Sequence, residues 1–178
     1  MKNFELTNET IVNDCGVTLH RIKAVKDIIA PRFTVKAGEL GGFVEKVDNL
    51  DGDAWVFDNA RVYGNARVYG NALVFDNARV YGNAWVYGDA LISDNARVYG
   101  DAEVFRTNHY LVVGPIGSRD DYTTFFRSKD GVIKVKCGCF KGTTDEFLAK
   151  VEKTHGNSKY AKVYRMATEM ALAQIDTN

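Results

Sequence analysis

Three arginines, Arg61, Arg79 and Arg97, recur 18 positions apart, and each is followed two positions later by a tyrosine, Tyr63, Tyr81 or Tyr99. A second set shares the spacing only loosely: Arg67 and Tyr69, Trp85 and Tyr87, Glu103 and Phe105. If the spacing corresponds to one turn of a coil, like residues lie about 4.8 Å apart. Guanidinium groups at that distance repel one another unless an anion lies across them. Tyrosine adds stacking surface and a hydroxyl. Together these residue types suit nucleotide phosphates and bases, or an acidic protein surface. The plainer reading is that each arginine stacks on a neighbouring tyrosine, or pairs with an aspartate on the coil edge or with another subunit.

Other candidates carry weaker patterns. Cys137 and Cys139 alternate along a strand-like segment and would face one side. Zinc would need two more ligands at paired spacing, which is absent, so two half-buried strand cysteines are the better reading. Asp58, Asp76 and Asp94 repeat at the same 18-residue interval. A cation could bridge them, but aspartates that cap their own corner backbone are the better reading. The segment Gly114–Tyr122 (GPIGSRDDY) offers backbone amides to a phosphate. It lacks the P-loop pattern and reads better as a strand connection.

The elements that must hold these residues follow from a shorter period. From Asp51 the chain reads DGDAWV, FDNARV, YGNARV, YGNALV, FDNARV, YGNAWV, YGDALI, SDNARV and YGDAEV, with no insertion. Every hexad ends in Val or Ile, from Val56 to Val104, and every fourth position is alanine, from Ala54 to Ala102. Two looser hexads precede them, ending at Val44 and Leu50. Six is not the helical period. It fits a short strand with an inward β-branched residue, followed by a corner at Gly-Asn or Asp-Asn that tolerates positive φ. Three hexads make one triangular coil. The recurrence of FDNARV at Phe57 and Phe75, then SDNARV at Ser93, makes the three edges distinguishable.

The outer faces therefore differ. Face one carries Trp55, Phe57, Leu73, Phe75 and Leu91, an apolar strip expected at a subunit interface or beneath the chain's own tail helix. Face two carries the arginine and tyrosine columns. Face three carries Arg67, Tyr69, Trp85, Tyr87, Glu103 and Phe105.

These hexads resemble the hexapeptide-repeat, left-handed β-helix proteins, many of which are trimeric acyltransferases. The sequence is most similar to small phage- and prophage-encoded proteins, in which a GELGGFVEKVDNL-like segment precedes YGNARV-type repeats. Its GPIGSRDDYTTFF and GCFKGTTDEFLAKVEKTHG segments look like a module of phage-type proteins. The resemblance implies a left-handed solenoid and a homotrimer with three equivalent clefts. It also implies an acyltransferase alternative with CoA as donor, in which a histidine beside the coils acts as base. His109 is the one candidate, since none lies between Glu39 and Phe105, and the loop that such enzymes often extrude from the coils is absent, which counts against this alternative. A β-helix carbonic anhydrase would need three histidines round a metal, and His20, His109 and His155 sit in separate segments.

A solenoid needs caps at both ends. Residues 1–38 are expected to form a β cap, with strands Phe4–Val12 and Val17–Val25 around a turn at Asn13–Gly16. Residues 39–105 form the solenoid. Residues 106–178 form an α+β module with strands Tyr110–Val113, Tyr122–Arg127 and Val132–Cys139. Lys129-Asp130-Gly131 is a hairpin turn there. Two helices follow, one started by a Thr143–Glu146 capping box and stopped at Gly156, the other capped by Ser158. Val163, Met166, Met170 and Ala173 give the second helix an apolar stripe expected to pack inward.

The 178 residues carry 23 Lys+Arg and 23 Asp+Glu, a net charge of zero that argues against bulk nucleic acid as partner. The start, MKNFELTNETI, lacks a leader's apolar core. No apolar run approaches the ~20 residues of a membrane span, and three cysteines make no disulfide framework. The host bacterial cytoplasm is the expected location. The reading that collects these points is a mainly β, non-catalytic binding protein of phage type, with no metal and no cofactor. It would take an anionic, nucleotide-like host immune signal or a host defence protein. A CoA-dependent acyltransferase and a structural assembly protein are the alternatives.

Overall fold

The computed structural model describes residues 2–177. In chain order the strands are β1 (Phe4–Val12), β2 (Thr18–Ala24), β3 (Ile28–Ala30), β4 (Phe33–Val35) and β5 (Leu40–Val44). Nine two-residue strands follow: β6 (Trp55–Val56), β7 (Arg61–Val62), β8 (Arg67–Val68), β9 (Leu73–Val74), β10 (Arg79–Val80), β11 (Trp85–Val86), β12 (Leu91–Ile92), β13 (Arg97–Val98) and β14 (Glu103–Val104). The tail adds β15 (Tyr110–Ile116), β16 (Asp121–Arg127), β17 (Ile133–Cys137), β18 (Phe140–Thr143), α1 (Thr144–His155) and α2 (Lys159–Gln174).

Each hexad is thus one short strand and one turn, and the protein is a parallel β-solenoid of three coils. Every third strand pairs in parallel, giving the sheets β6–β9–β12, β7–β10–β13 and β8–β11–β14. Their register sets each residue on its counterpart in the next coil: Arg61 and Arg97 flank Arg79, and Trp85 lies between Arg67 and Glu103. The inward Val56 to Val104 ladder and the corner alanines from Ala60 to Ala102 are at most 1 % exposed. Complete burial of a valine side chain contributes roughly 1.5–3 kcal/mol, so this repeated contact carries the solenoid. The looser hexads join it, with Phe43 and Val44 beside Arg61 and Val62, and Leu50 beside Val68.

The corners show why the second hexad position is glycine or aspartate. Asp58, Asp76 and Asp94 take φ values of 54°, 58° and 58°, the left-handed region. Asp76 spends its carboxylate on the next coil, accepting the Asp94 N–H at 3.1 Å, instead of capping its own corner. Where the edge carries glycine, coils approach closely: a Cβ on Gly82 would lie 2.9 Å from Gly100 N.

Both ends are capped by the chain itself. Strands β1 and β2 form an antiparallel hairpin, and β2 pairs antiparallel with β5, so the cap extends the face-two sheet. The small β3–β4 hairpin, absent from the sequence reading, lies over face one. At the far end β15–β16–β17–β18 form an antiparallel sheet. Its Phe126 joins the solenoid core, and Ser128 bridges to Ala102. The expected strand Val132–Cys139 is instead two strands, β17 and β18, joined by Gly138 and Cys139. Cys139 therefore lies in a turn and does not alternate with Cys137 on one strand.

The helix signals hold: Thr143 and Glu146 form the capping box, Gly156 ends α1, and Ser158 caps α2. The packing face of α2 does not. Ala161, Tyr164, Ala167 and Ala171 are buried against the tail sheet, while Met166 and Met170 are 56 % and 53 % exposed. Small residues let the helix sit close to β15 and α1, and that close approach outweighs the larger apolar stripe. Among the described residues no helix is long and apolar enough to cross a membrane.

The corners yield a paired stability prediction. Gly82→Ala and Gly100→Ala both place Cβ on a left-handed backbone, which costs about 1–2 kcal/mol. Only Gly82→Ala also drives Cβ into backbone, because nothing lies within 4 Å of the Gly100 position. Urea unfolding should therefore show a larger loss for Gly82→Ala; equal losses would mean that stacking at the corner is not tight.

Candidate anion-binding cleft

Parallel register fixes the first part of the site. Strands β7, β10 and β13 bring Arg61, Arg79 and Arg97 into one column, each with its neighbour's guanidinium one coil away. Two residues on, Tyr63 and Tyr81 stack with ring centroids 5.1 Å apart and planes 4° from parallel. Tyr99 continues the stack at 5.8 Å. Burial raises the Tyr63 hydroxyl and pushes Tyr81 and Tyr99 up to about 12, so all three phenols stay protonated donors at neutral pH.

The caps supply the rest. At the N-terminal turn, the Asn13 side-chain oxygen accepts from Cys15 N and Val17 N. That turn presents Asp14 to Arg79, whose Nη1 donates to the carboxylate at 2.9 Å. This bond, with the charges of Arg79, Arg61 and Arg97, holds Asp14 below the usual carboxylate range.

From the tail, the β17–β18 hairpin sets Lys136 directly opposite Lys141. The Lys141 ammonium lies 5.1 Å from the Tyr99 ring centroid and 5.8 Å from that of Tyr81, an arrangement favourable to cation–π attraction. Lys136 is only 7 % exposed, and its ammonium donates to the Gly138 carbonyl. Burial and the nearby charges of Arg97 and Lys141 lower its pKa, against a smaller opposite pull from Cys139 and Cys137.

Solenoid, N-terminal turn and tail hairpin thus enclose a cleft of about 220 Å³, lined by Tyr63, Tyr81, Arg79, Arg97, Lys136 and Lys141, with Asp14 and Cys15 at one side. Four cationic side chains face it, and Asp14 is the one carboxylate among its lining residues. Among the described residues the Arg61 and Arg97 guanidiniums form no ion pair. Like charges placed directly across a strand pair are destabilising. A buried ammonium among other cations is costlier still without an anion. The arrangement can neutralise and orient a multiply charged anion.

The remaining expected residues lie elsewhere. Arg67, Trp85 and Tyr87 belong to the separate sheet β8–β11–β14 on face three and do not reach this cleft. There the Tyr87 hydroxyl donates to Glu103 at 3.1 Å, and Arg127 donates to the same carboxylate at 2.8 Å. Face one, with Trp55, Phe57, Leu73, Phe75 and Leu91, is covered in part by the N-terminal cap. Trp55 is fully buried with Phe4, Ile28 and Val35 of the N-terminal cap, and Phe33 meets Phe57 edge-on at 6.2 Å. The tail helix takes no part in this cover; Leu73, Phe75 and Leu91 stay half-buried.

His109 is the candidate base of the acyltransferase alternative alone. It is fully buried, edge-on to Phe105 at 4.2 Å, and neither ring nitrogen has a hydrogen-bond partner among the described residues. A base must reach the proton it takes, so this imidazole does not serve a substrate in this arrangement. No group of three or more His, Cys, Asp or Glu side chains gathers to hold a metal among the described residues, the Asp58–Asp76–Asp94 edge included.

The sequence reading missed Lys136, Lys141 and Asp14. For the lysines a signal existed: Gly138-Cys139 as a two-residue hairpin loop places Lys136 opposite Lys141. Asp14 carried none, because its role depends on where the cap folds.

Residues 60–74, 66–78, 74–88 and 78–93 match the YdcK β-solenoid repeat. The chain is thus a repeat β-solenoid protein, similar to that family through its central coils. No curated protein matches the chain.

The buried histidine gives a pH prediction. Burial, with the Arg127 charge, lowers the His109 pKa below its usual 6.5. Between the two values the unfolded chain binds the extra proton and the folded chain does not, so stability falls as pH drops below 6.5. His109→Phe should flatten this part of the pH–stability curve in thermal unfolding; an unchanged acid slope would assign the loss to other groups.

Proposed function

We propose that this protein is a non-catalytic binding protein whose cleft takes a multiply charged, nucleotide-like anion. The observation that carries the reading is Lys136, buried opposite Lys141 and beside Arg97, in a cleft whose one lining carboxylate is already bound to Arg79. A di- or triphosphate would neutralise the three tail-side cations. The tyrosine column adds protonated hydroxyls and flat apolar surface for the organic part of the ligand. On this reading the chain is a phage-type protein that sequesters a nucleotide-like host signal. The cleft is completed within one chain, so the reading does not depend on a homotrimer.

Calorimetric titration with pyrophosphate and with adenosine 5′-triphosphate tests it. Both should bind, with affinity falling as salt rises. Arg97→Ala and Tyr81→Ala should each weaken the nucleotide, the arginine variant by roughly tenfold or more. Lys136→Met should abolish binding yet leave the ligand-free fold at least as stable, since it removes an unpaired buried charge. Nucleotide affinity that survives Lys136→Met would overturn the reading.

A further inference from the structure

A second cavity lies on face three, away from the anion cleft. It measures about 400 Å³ and is walled by Tyr69 and Trp85, with Arg67, Asp48 and Asp51 round it and the Gly52–Gly70 corner as its floor. We propose that this cavity is a carbohydrate-binding site that stacks a neutral sugar ring on Trp85.

Three features argue for that ligand. The first is the aromatic wall. Register sets Trp85 one coil beyond Arg67, and Tyr69 stacks on Tyr87 at 4.9 Å. The Lys129 ammonium lies 3.7 Å from the Trp85 ring centroid. Apart from Trp85, the cavity is lined by residues of the preceding coils, and Lys129 is not among them.

The second is the floor. Gly52 and Gly70 themselves carry no side chain, and the two coils stack closely there, a Cβ on Gly52 lying 3.1 Å from Gly70 N. Where these two glycines line the cavity, no side chain of theirs keeps a ligand from the backbone.

The third is the mixture of charges. Asp51 accepts the Gly52 N–H and pairs with Lys2 at 3.2 Å, which holds it ionised. Asp48 is exposed in the turn before it, and Arg67 is exposed without an ion pair among the described residues. Two carboxylates repel the anions that the other cleft attracts, and a guanidinium repels cations. A neutral ligand with many hydroxyls satisfies all three, donating to the carboxylates and accepting from Arg67, while its C–H face covers the indole.

The two tryptophans make this directly measurable, because Trp55 is sealed in the core and Trp85 is not. Acrylamide quenching of the intact protein therefore reports Trp85. The probes are the methyl glycosides of glucose, galactose and N-acetylglucosamine, and the linear tetrasaccharides maltotetraose, cellotetraose and chitotetraose. At least one should protect Trp85 from quenching at millimolar concentration. Trp85→Leu should abolish its binding in calorimetry with the coil intact, since Leu73 and Leu91 occupy the same hexad position. Arg67→Ala should weaken it severalfold. Protection by a methyl glycoside identifies a free sugar as sufficient; protection by a tetrasaccharide alone identifies a polymer. If no glycan changes the quenching, if binding persists in Trp85→Leu, or if pyrophosphate protects Trp85 instead, the proposal is overturned. Lys136→Met, which disables the other cleft, should leave sugar binding unchanged, so the two readings fail separately.

Discussion

Parallel, in-register stacking sets each residue of a coil against the residue 18 positions away. The geometry follows from the valine ladder and the alanine corners, which are buried throughout, so that a one-residue slip would turn every valine out of the core. For apolar groups the constraint is favourable at every step. For amides it is also favourable: Asn65 donates to Asn83 at 3.3 Å and Asn71 to Asp89 at 3.1 Å, up the outside of the corners. For identical charges it is unfavourable, and the three faces resolve that conflict differently.

Face three breaks the repeat, placing Trp85 between Arg67 and Glu103, and so avoids like charges altogether. Face one carries no charge at its strand positions. Face two keeps three arginines in register, and among the described residues only the middle one has an ion pair, with Asp14. The tail then adds Lys136 and Lys141 to the same place. A fold that brings cations together from two modules, the solenoid and the tail, and buries one of them leaves a positive excess in the cleft. The central claim is that this excess is the binding site and not a tolerated defect.

The division of labour between coil and caps explains what was legible in the sequence. The hexad pattern determines strand, corner and register at once, so the arginine and tyrosine columns could be placed from Arg61 to Tyr99 without a structure. The capping box at Thr143 and the stops at Gly156 and Ser158 are equally local and equally readable. The caps are not. Strands β3 and β4 are three residues each and carry no period, so nothing in the sequence showed that they would cover Trp55. The stripe of Val163, Met166 and Met170 has the right spacing for a buried face, yet the smaller face with Ala161 and Ala171 packs, because the tail sheet admits close approach. His109 is buried by the turn that leads into β15, a tertiary event outside the repeat. The site was therefore half legible: the solenoid wall was, and the residues that close it were not.

The most direct test of the central claim is the ionisation of Lys136 itself, followed by NMR of its side-chain nitrogen in the free protein and with saturating pyrophosphate. The account predicts a pKa below the usual lysine value in the free protein, returning upward when the anion binds. An ordinary pKa in the free protein that pyrophosphate does not move would mean that the lysine is neither buried among unpaired cations nor in contact with the ligand, and the account of the cleft would be wrong.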